Sequence, residues 1–165
     1  MKRIIGLVLA LLFITSTCFA AGSVTQQSVK VGPGVLHVIL TCTGDAANGS
    51  IPATDLKAEY IKVLKDGNYA LTDVRAFPTP GGTAPDAADV TVKQKNYKTY
   101  SSTVAPAVAR DILGGAGTNL IHATNAQSIG AGMASYETVT GDLTVGVANQ
   151  STNSANYTLI LVFEM

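Results

Sequence analysis

The chain of 165 residues carries 11 basic and 11 acidic side chains, with 13% charged and 47% hydrophobic residues, no Trp and two Cys. A charged fraction about half the usual one, balanced in sign and thinly spread, provides neither a basic stripe for nucleic acid nor an acidic tail. Two cysteines are too few for a disulfide framework.

Residues 1–20 have the pattern of a cleavable export leader. Met1-Lys2-Arg3 supplies the positive start, Ile4 to Ile14 the apolar run, and Cys18-Phe19-Ala20 a small-residue end suited to signal peptidase. As a helix the apolar run covers about 16 Å, roughly half of a bilayer's hydrocarbon core, so no stable membrane anchor is expected after cleavage. Thr15 stands where a lipoprotein has Leu before its acceptor cysteine, and Leu11 where a pilin-type leader has Glu. Both of those alternatives are disfavoured. The expected destination is the periplasm or the exterior.

Residues 21–165 have the length of one domain, able to bury about 68% of their unfolded surface in one core. Losing Lys2 and Arg3 with the leader leaves a slight acidic excess, and losing Cys18 leaves Cys42 as the lone thiol, so no internal disulfide can form. The abundance of Ala, Thr, Gly, Val, Ser and Asn suits short strands and polar turns.

Gly32-Pro33-Gly34 signals a turn. Val35 to Thr43 follows, β-branched and apolar on both parities, as in a central strand covered on both faces. Cys42 shares parity with Leu36, Val38 and Leu40, which predicts a buried, inert thiol. Asp45 to Pro52 is expected as loop. Thr54 is a candidate cap for a short helix carrying Leu56, Tyr60, Val63 and Leu64 and closed by Gly67.

Asn68 to Phe77 is expected as a strand whose apolar parity slips near Asp73, a bulge signal, followed by a rigid loop from Pro78 to Pro85. Asp89 to Lys93 alternates cleanly, with one face buried. Gln94 to Arg110 is the least regular stretch. Asp111-Ile112-Leu113 and Asn119-Leu120-Ile121 are short strand-like pieces around Gly114-Gly115-Ala116-Gly117. Leu143, Val145 and Val147 alternate with small or polar residues, and Tyr157, Leu159, Leu161 and Phe163 share one face; with the polar reversal Asn149 to Ala155 between them, a terminal hairpin is expected. Short strands with turn signals about every ten residues and one minor helix point to an all-β fold, an antiparallel β-sandwich or jelly-roll-like single domain.

No catalytic, cofactor-binding or metal-binding residues are assigned. His37 and His122 lack ligand partners at useful spacing, no serine sits in a nucleophile-elbow pattern, and no Lys-Ser or Lys-Thr follows the Gly114–Gly117 run. Asp86, Asp89 and Asp111 lack the dense alternation of a calcium loop. Sequons at Asn48, Asn149 and Asn156 arise easily in so Asn-, Ser- and Thr-rich a chain. Six tyrosines could stack on sugars, although the missing Trp weakens a lectin reading.

Three stretches carry a resemblance: Thr41 to Pro52 (TCTGDAANGSIP), Pro80 to Val90 (PGGTAPDAADV), and Asn119 to Thr124 (NLIHAT) with Val147 to Ser151 (VANQS). In this order and spacing the chain resembles a family of small proteins encoded in tailed-phage and prophage genomes, presumed virion-associated, some with signal peptides. The match covers most of residues 21–165 and departs at Gln94 to Arg110, where this chain carries extra residues. The family brings no catalytic residues to transfer. The resemblance implies a non-enzymatic structural or accessory protein, with a homo-oligomer or other virion proteins as partners, no nucleic acid and no cofactor. Because phage heads assemble in the cytoplasm, an exported copy would meet the virion only after lysis, or act at the envelope. The alternative is an exported binding module that recognises envelope glycan or another surface ligand through its loops.

Overall fold

The computed structural model describes residues 22–44, 50–78, 88–95, 110–113, 127–128, 138–149 and 156–165. The elements are β1 (Ser23–Gly32), β2 (Val35–Thr43), β3 (Ile51–Asp55), α1 (Ala58–Asp66), β4 (Ala70–Pro78), β5 (Ala88–Gln94), β6 (Arg110–Asp111), β7 (Gln127–Ser128), β8 (Leu143–Asn149) and β9 (Asn156–Glu164). They form two antiparallel sheets, one ordered β1-β2-β9-β4-β7 and the other β3-β8-β5-β6. The fold is therefore an all-β sandwich with one short helix.

Strand periodicity builds the layer between the sheets. Leu36, Val38, Leu40 and Cys42 of β2 lie against Tyr157, Leu159, Leu161 and Phe163 of β9, and all eight are buried. Ile51, Val90, Val92, Leu143, Val145 and Val147 complete the layer from the second sheet, with Ile61 and Leu64 of α1 joining the same cluster. The other face of β2 is only half-covered: Val35, His37 and Ile39 are partly buried while Thr41 and Thr43 are exposed. The strand is central within its sheet, but only one of its faces is dry. A run apolar on both parities reflects β-branched filling here, not burial on two sides.

The parity slip near Asp73 is a bulge. The ladder between β4 and β9 shifts between Leu71 and Asp73, and the extra residue lets Leu71 and Val74, three apart, both point inward against Phe163 and Leu161. The alternation of Asp89 to Lys93 is also observed, with Val90 and Val92 buried.

Three expectations are corrected. The runs ending the chain do not pair as a hairpin: β8 bonds β3 and β5 in one sheet, and β9 bonds β2 and β4 in the other. Alternation identifies the buried face of each run, and that face is the same whether the runs pair side by side or oppose each other across the core. Ile51 and Pro52 belong to β3 and not to a loop. Thr54 lies in β3, its hydroxyl donating to the Pro52 carbonyl at 3.0 Å, and the helix starts instead after Lys57, which carries no side-chain cap. Gly67 caps the C-terminus of α1 as expected, and the left-handed residue is Asn68 (φ 54°), one past it. Its N–H donates to the Lys65 carbonyl and that of Tyr69 to the Leu64 carbonyl, the paired bonds of a Schellman motif, with Leu64 and Tyr69 buried beside it. Gly67 is required for a different reason: a Cβ there would stand 2.5 Å from the Tyr69 ring. Asp111 ends β6 and Ile112-Leu113 turn away into the core, whereas Asn119-Leu120-Ile121 and most of the Pro78 to Pro85 and Gln94 to Arg110 stretches lie outside the described residues.

Candidate functional site

The sheet ends differ in what they leave open. In one sheet β3 is short, shifts register between Ile51 and Thr54 and contains Pro52, while β6 has two residues. Such ends resist strand addition. In the other sheet, β4 is met on its outer side by Gln127 and Ser128 of β7 and, at its start, by Thr138 and Val139, whose N–H donates to the Tyr69 carbonyl at 2.8 Å. The remaining end is β1, ten residues long and bonded only to β2 among the described residues.

Pro33 and Gly34 make the tight turn into β2. Gly34 adopts φ +70°, so Pro at the first turn position and Gly at the second follow type II chemistry. Gly32 faces Val35 across this two-residue turn, which makes them a hydrogen-bonded pair, and bonding alternates from there. The main-chain groups of Ser28, Lys30 and Gly32 thus face β2, and those of Gln27, Val29 and Val31 face away from it.

Gln27 is already engaged on that outer side. The Tyr60 hydroxyl donates to its carbonyl at 3.1 Å, its amide nitrogen donates to the Asp55 carbonyl, and its side-chain oxygen accepts the Lys57 N–H, each also at 3.1 Å. Gln27 thereby stands in for the missing helix cap, and the start of α1 closes the middle of the β1 edge. Among the described residues the stretch beyond it, Val29 to Val31, meets no second strand, and Val31 is 70% exposed.

On the sheet face away from the core, Lys30 pairs with His37 and Gly32 with Val35. Because Gly32 has no side chain, these positions enclose a shallow hollow of about 200 Å³, lined by Lys30, Val31, Gly32, Val35 and His37. Its floor is aliphatic and its rim carries one lysine and one histidine. The open edge and the hollow form one surface at the tip of the β1–β2 hairpin.

The residues weighed from sequence fall elsewhere, apart from His37. Cys42 is buried, and desolvation pushes its thiol up to about 12, against a smaller opposing contribution from the Leu159 backbone. The Asp111 carboxylate accepts the Leu113 N–H at 3.1 Å, a local turn bond. Asp89 is half-buried on β5. Among the described residues no group of three or more His, Cys, Asp or Glu is placed to hold a metal ion, and no helix is long and apolar enough to cross a membrane. Tyr60, Tyr69 and Tyr157 are engaged in packing, the first by its bond to Gln27. His122, Asp86 and the Gly114–Gly117 run lie outside the described residues. Sequence reading missed β1 itself. Its signal was Val29 and Val31 alternating with Ser28 and Lys30 just before the Gly-Pro-Gly turn.

No protein-family model matches the chain, and no curated protein matches it. Among solved structures it is similar to a chain of the capsid of Ralstonia phage GP4, at 15% identity over 86% of each chain with a TM-score of 0.39. It is also similar to a chain of the acid-stable capsid of Helicobacter pylori bacteriophage KHP30, at 13% identity over 85% of this chain and 92% of that one, TM-score 0.36.

Proposed function

We propose that this chain is a non-enzymatic structural or accessory protein of a tailed phage or prophage, exported by its leader and packed into an assembly through its β-sandwich. The observation that carries this reading is the open β1 edge. At its other sheet ends this molecule shortens, kinks or covers the edge, whereas beyond Gln27 the β1 edge meets no second strand among the described residues and exposes Val31, which leaves main-chain groups available to another chain. The sequence resemblance to phage-encoded proteins supplies the setting, and the leader places the meeting after lysis or at the cell envelope.

The test is mass spectrometry of phage particles purified after lysis of a host carrying this gene, with N-terminal sequencing of the chain recovered. The expected result is a protein present at defined copy number and beginning at Ala21. Particles that lack it at every stage of purification would overturn the assignment.

A further inference from the structure

The geometry at the hairpin tip says what kind of strand the open edge accepts, an inference that takes the assembly reading as its setting. At the hairpin tip, among the described residues, Val29 and Val31 offer outward-facing main-chain donors and acceptors, because the Gln27 carbonyl already accepts from Tyr60 and Pro33 has no N–H.

A second copy of β1 is a poor occupant. In a two-fold antiparallel pairing, outward-facing residues must meet outward-facing residues, and the register that uses both valines sets Val29 against Val31 of the other copy. That register places Lys30 directly opposite its own copy, and like charges facing each other across a ladder are destabilising. Centring the pair on Val29 would bring in the occupied Gln27, and centring it on Val31 would bring in Pro33. An edge lysine of this kind is a known device against self-association.

The same lysine selects for the opposite charge. An incoming residue opposite Lys30 lies on the outer face, beside the hollow over Gly32, where Val35 offers aliphatic floor and Lys30 and His37 a polar rim. A glutamate suits this geometry: its stem lies on Val35 and its carboxylate meets the lysine. Its two neighbours fall on the inner face, next to Val29 and the exposed Val31, and are suited by apolar side chains. We propose that the Val29–Val31 edge of β1 receives an extended segment of a different protein chain, in which an acidic side chain flanked by two apolar ones stands opposite Lys30.

The test is NMR titration of the chain, recovered after expression with its own leader, with two blocked peptides at millimolar concentration: one centred on Val-Glu-Val, one on Val-Lys-Val. The glutamate peptide should shift the Val29 and Val31 amides and slow their exchange, and the lysine peptide should bind roughly fivefold more weakly. Lys30→Glu, on an exposed side chain that leaves the fold intact, should reverse that preference. Equal binding of both peptides by both proteins, or no protection of the two amides by either, would overturn the proposal. Absence of the chain from phage particles would instead strike the assembly reading and leave a reversed peptide preference standing.

Discussion

Cys42 stands directly across from Tyr157 in the β2–β9 ladder, with both side chains in the dry layer between the sheets. Burial is the larger cause of the raised Tyr157 hydroxyl, and the neighbouring thiol adds to it. The pair is chemically quiet because both members stay protonated far into alkali.

That pairing gives the molecule an alkaline limit. The Cys42 thiol ionises near pH 8.5 to 9 when unfolded and near 12 when folded, so above about pH 9 the unfolded state has lost a proton the native state keeps. Stability contributed by the neutral thiol is fully present below pH 9 and falls by up to about 1.4 kcal/mol per pH unit from there towards 12, with Tyr157 adding to the fall at higher pH. Thermal melts across this range should show the decline, and Cys42→Ala should flatten its first part. Native Cys42 should also resist a thiol reagent at pH 8 unless denaturant is added. Rapid labelling of folded protein would contradict its burial.

Leu161 of β9 is fully buried against Val38 and Val74, its partners in the adjoining strands. Leu161→Asp sets a carboxylate among aliphatic neighbours and should cost more than about 4 kcal/mol, enough to unfold the domain. Ile160→Asp, on the half-covered opposite face, should cost clearly less in the same melt. Similar losses for the two would mean that the faces of β9 are reversed.

How much of this was legible beforehand follows from what each pattern encodes. Period-two alternation identified the buried faces of β5, β8 and β9, and the slip at Asp73 marked a bulge, because both depend on the side chains of one strand; β2, apolar on both parities, is expected dry on two faces and is dry on one. Pairing partners depend on two strands at once, and nothing in Leu143 to Val147 distinguishes a neighbour of Tyr157 to Phe163 from a strand of the opposing sheet. The start of α1 was misplaced for a related reason: its first donor is satisfied by Gln27, 30 residues upstream, and not by a local cap. The open edge was hidden because a strand with one bonded neighbour and a partly wet surface keeps polar residues that look like loop.

Asn68 tests the end of α1. At φ 54° a glycine loses no side-chain clearance, so Asn68→Gly should be neutral to slightly stabilising, within about 1 kcal/mol, while the β-branched Asn68→Val should destabilise by roughly 1–2 kcal/mol. Chemical denaturation measures both. If Val were tolerated as well as Gly, the Schellman end would not be formed in solution.

The last test concerns Gln94 and Gly141, which lock the start of β8 against the end of β5. Gln94 is fully buried, and its side-chain oxygen accepts the N–H of Thr140 at 2.9 Å and of Gly141 at 3.3 Å. Lys95 N–H donates to the Asp142 carbonyl at 2.7 Å, so the two segments run in close contact. A Cβ on Gly141 would collide with the Lys95 carbonyl oxygen, a backbone atom that cannot swing aside. Gly141→Ala should therefore separate the segments and cost roughly 2–3 kcal/mol. Gly146→Ala provides the contrast: its nearest neighbour is the Thr91 hydroxyl at 3.3 Å, a side chain able to yield. Gln94→Leu should cost roughly 1–2 kcal/mol, because it takes the acceptor from the buried Gly141 amide and the part-buried Thr140 amide, while also removing a buried side-chain nitrogen that has no partner among the described residues. The double variant should lose less than the sum of the singles, since both break the same contact. Strict additivity in denaturation midpoints would show that the two residues act at separate places.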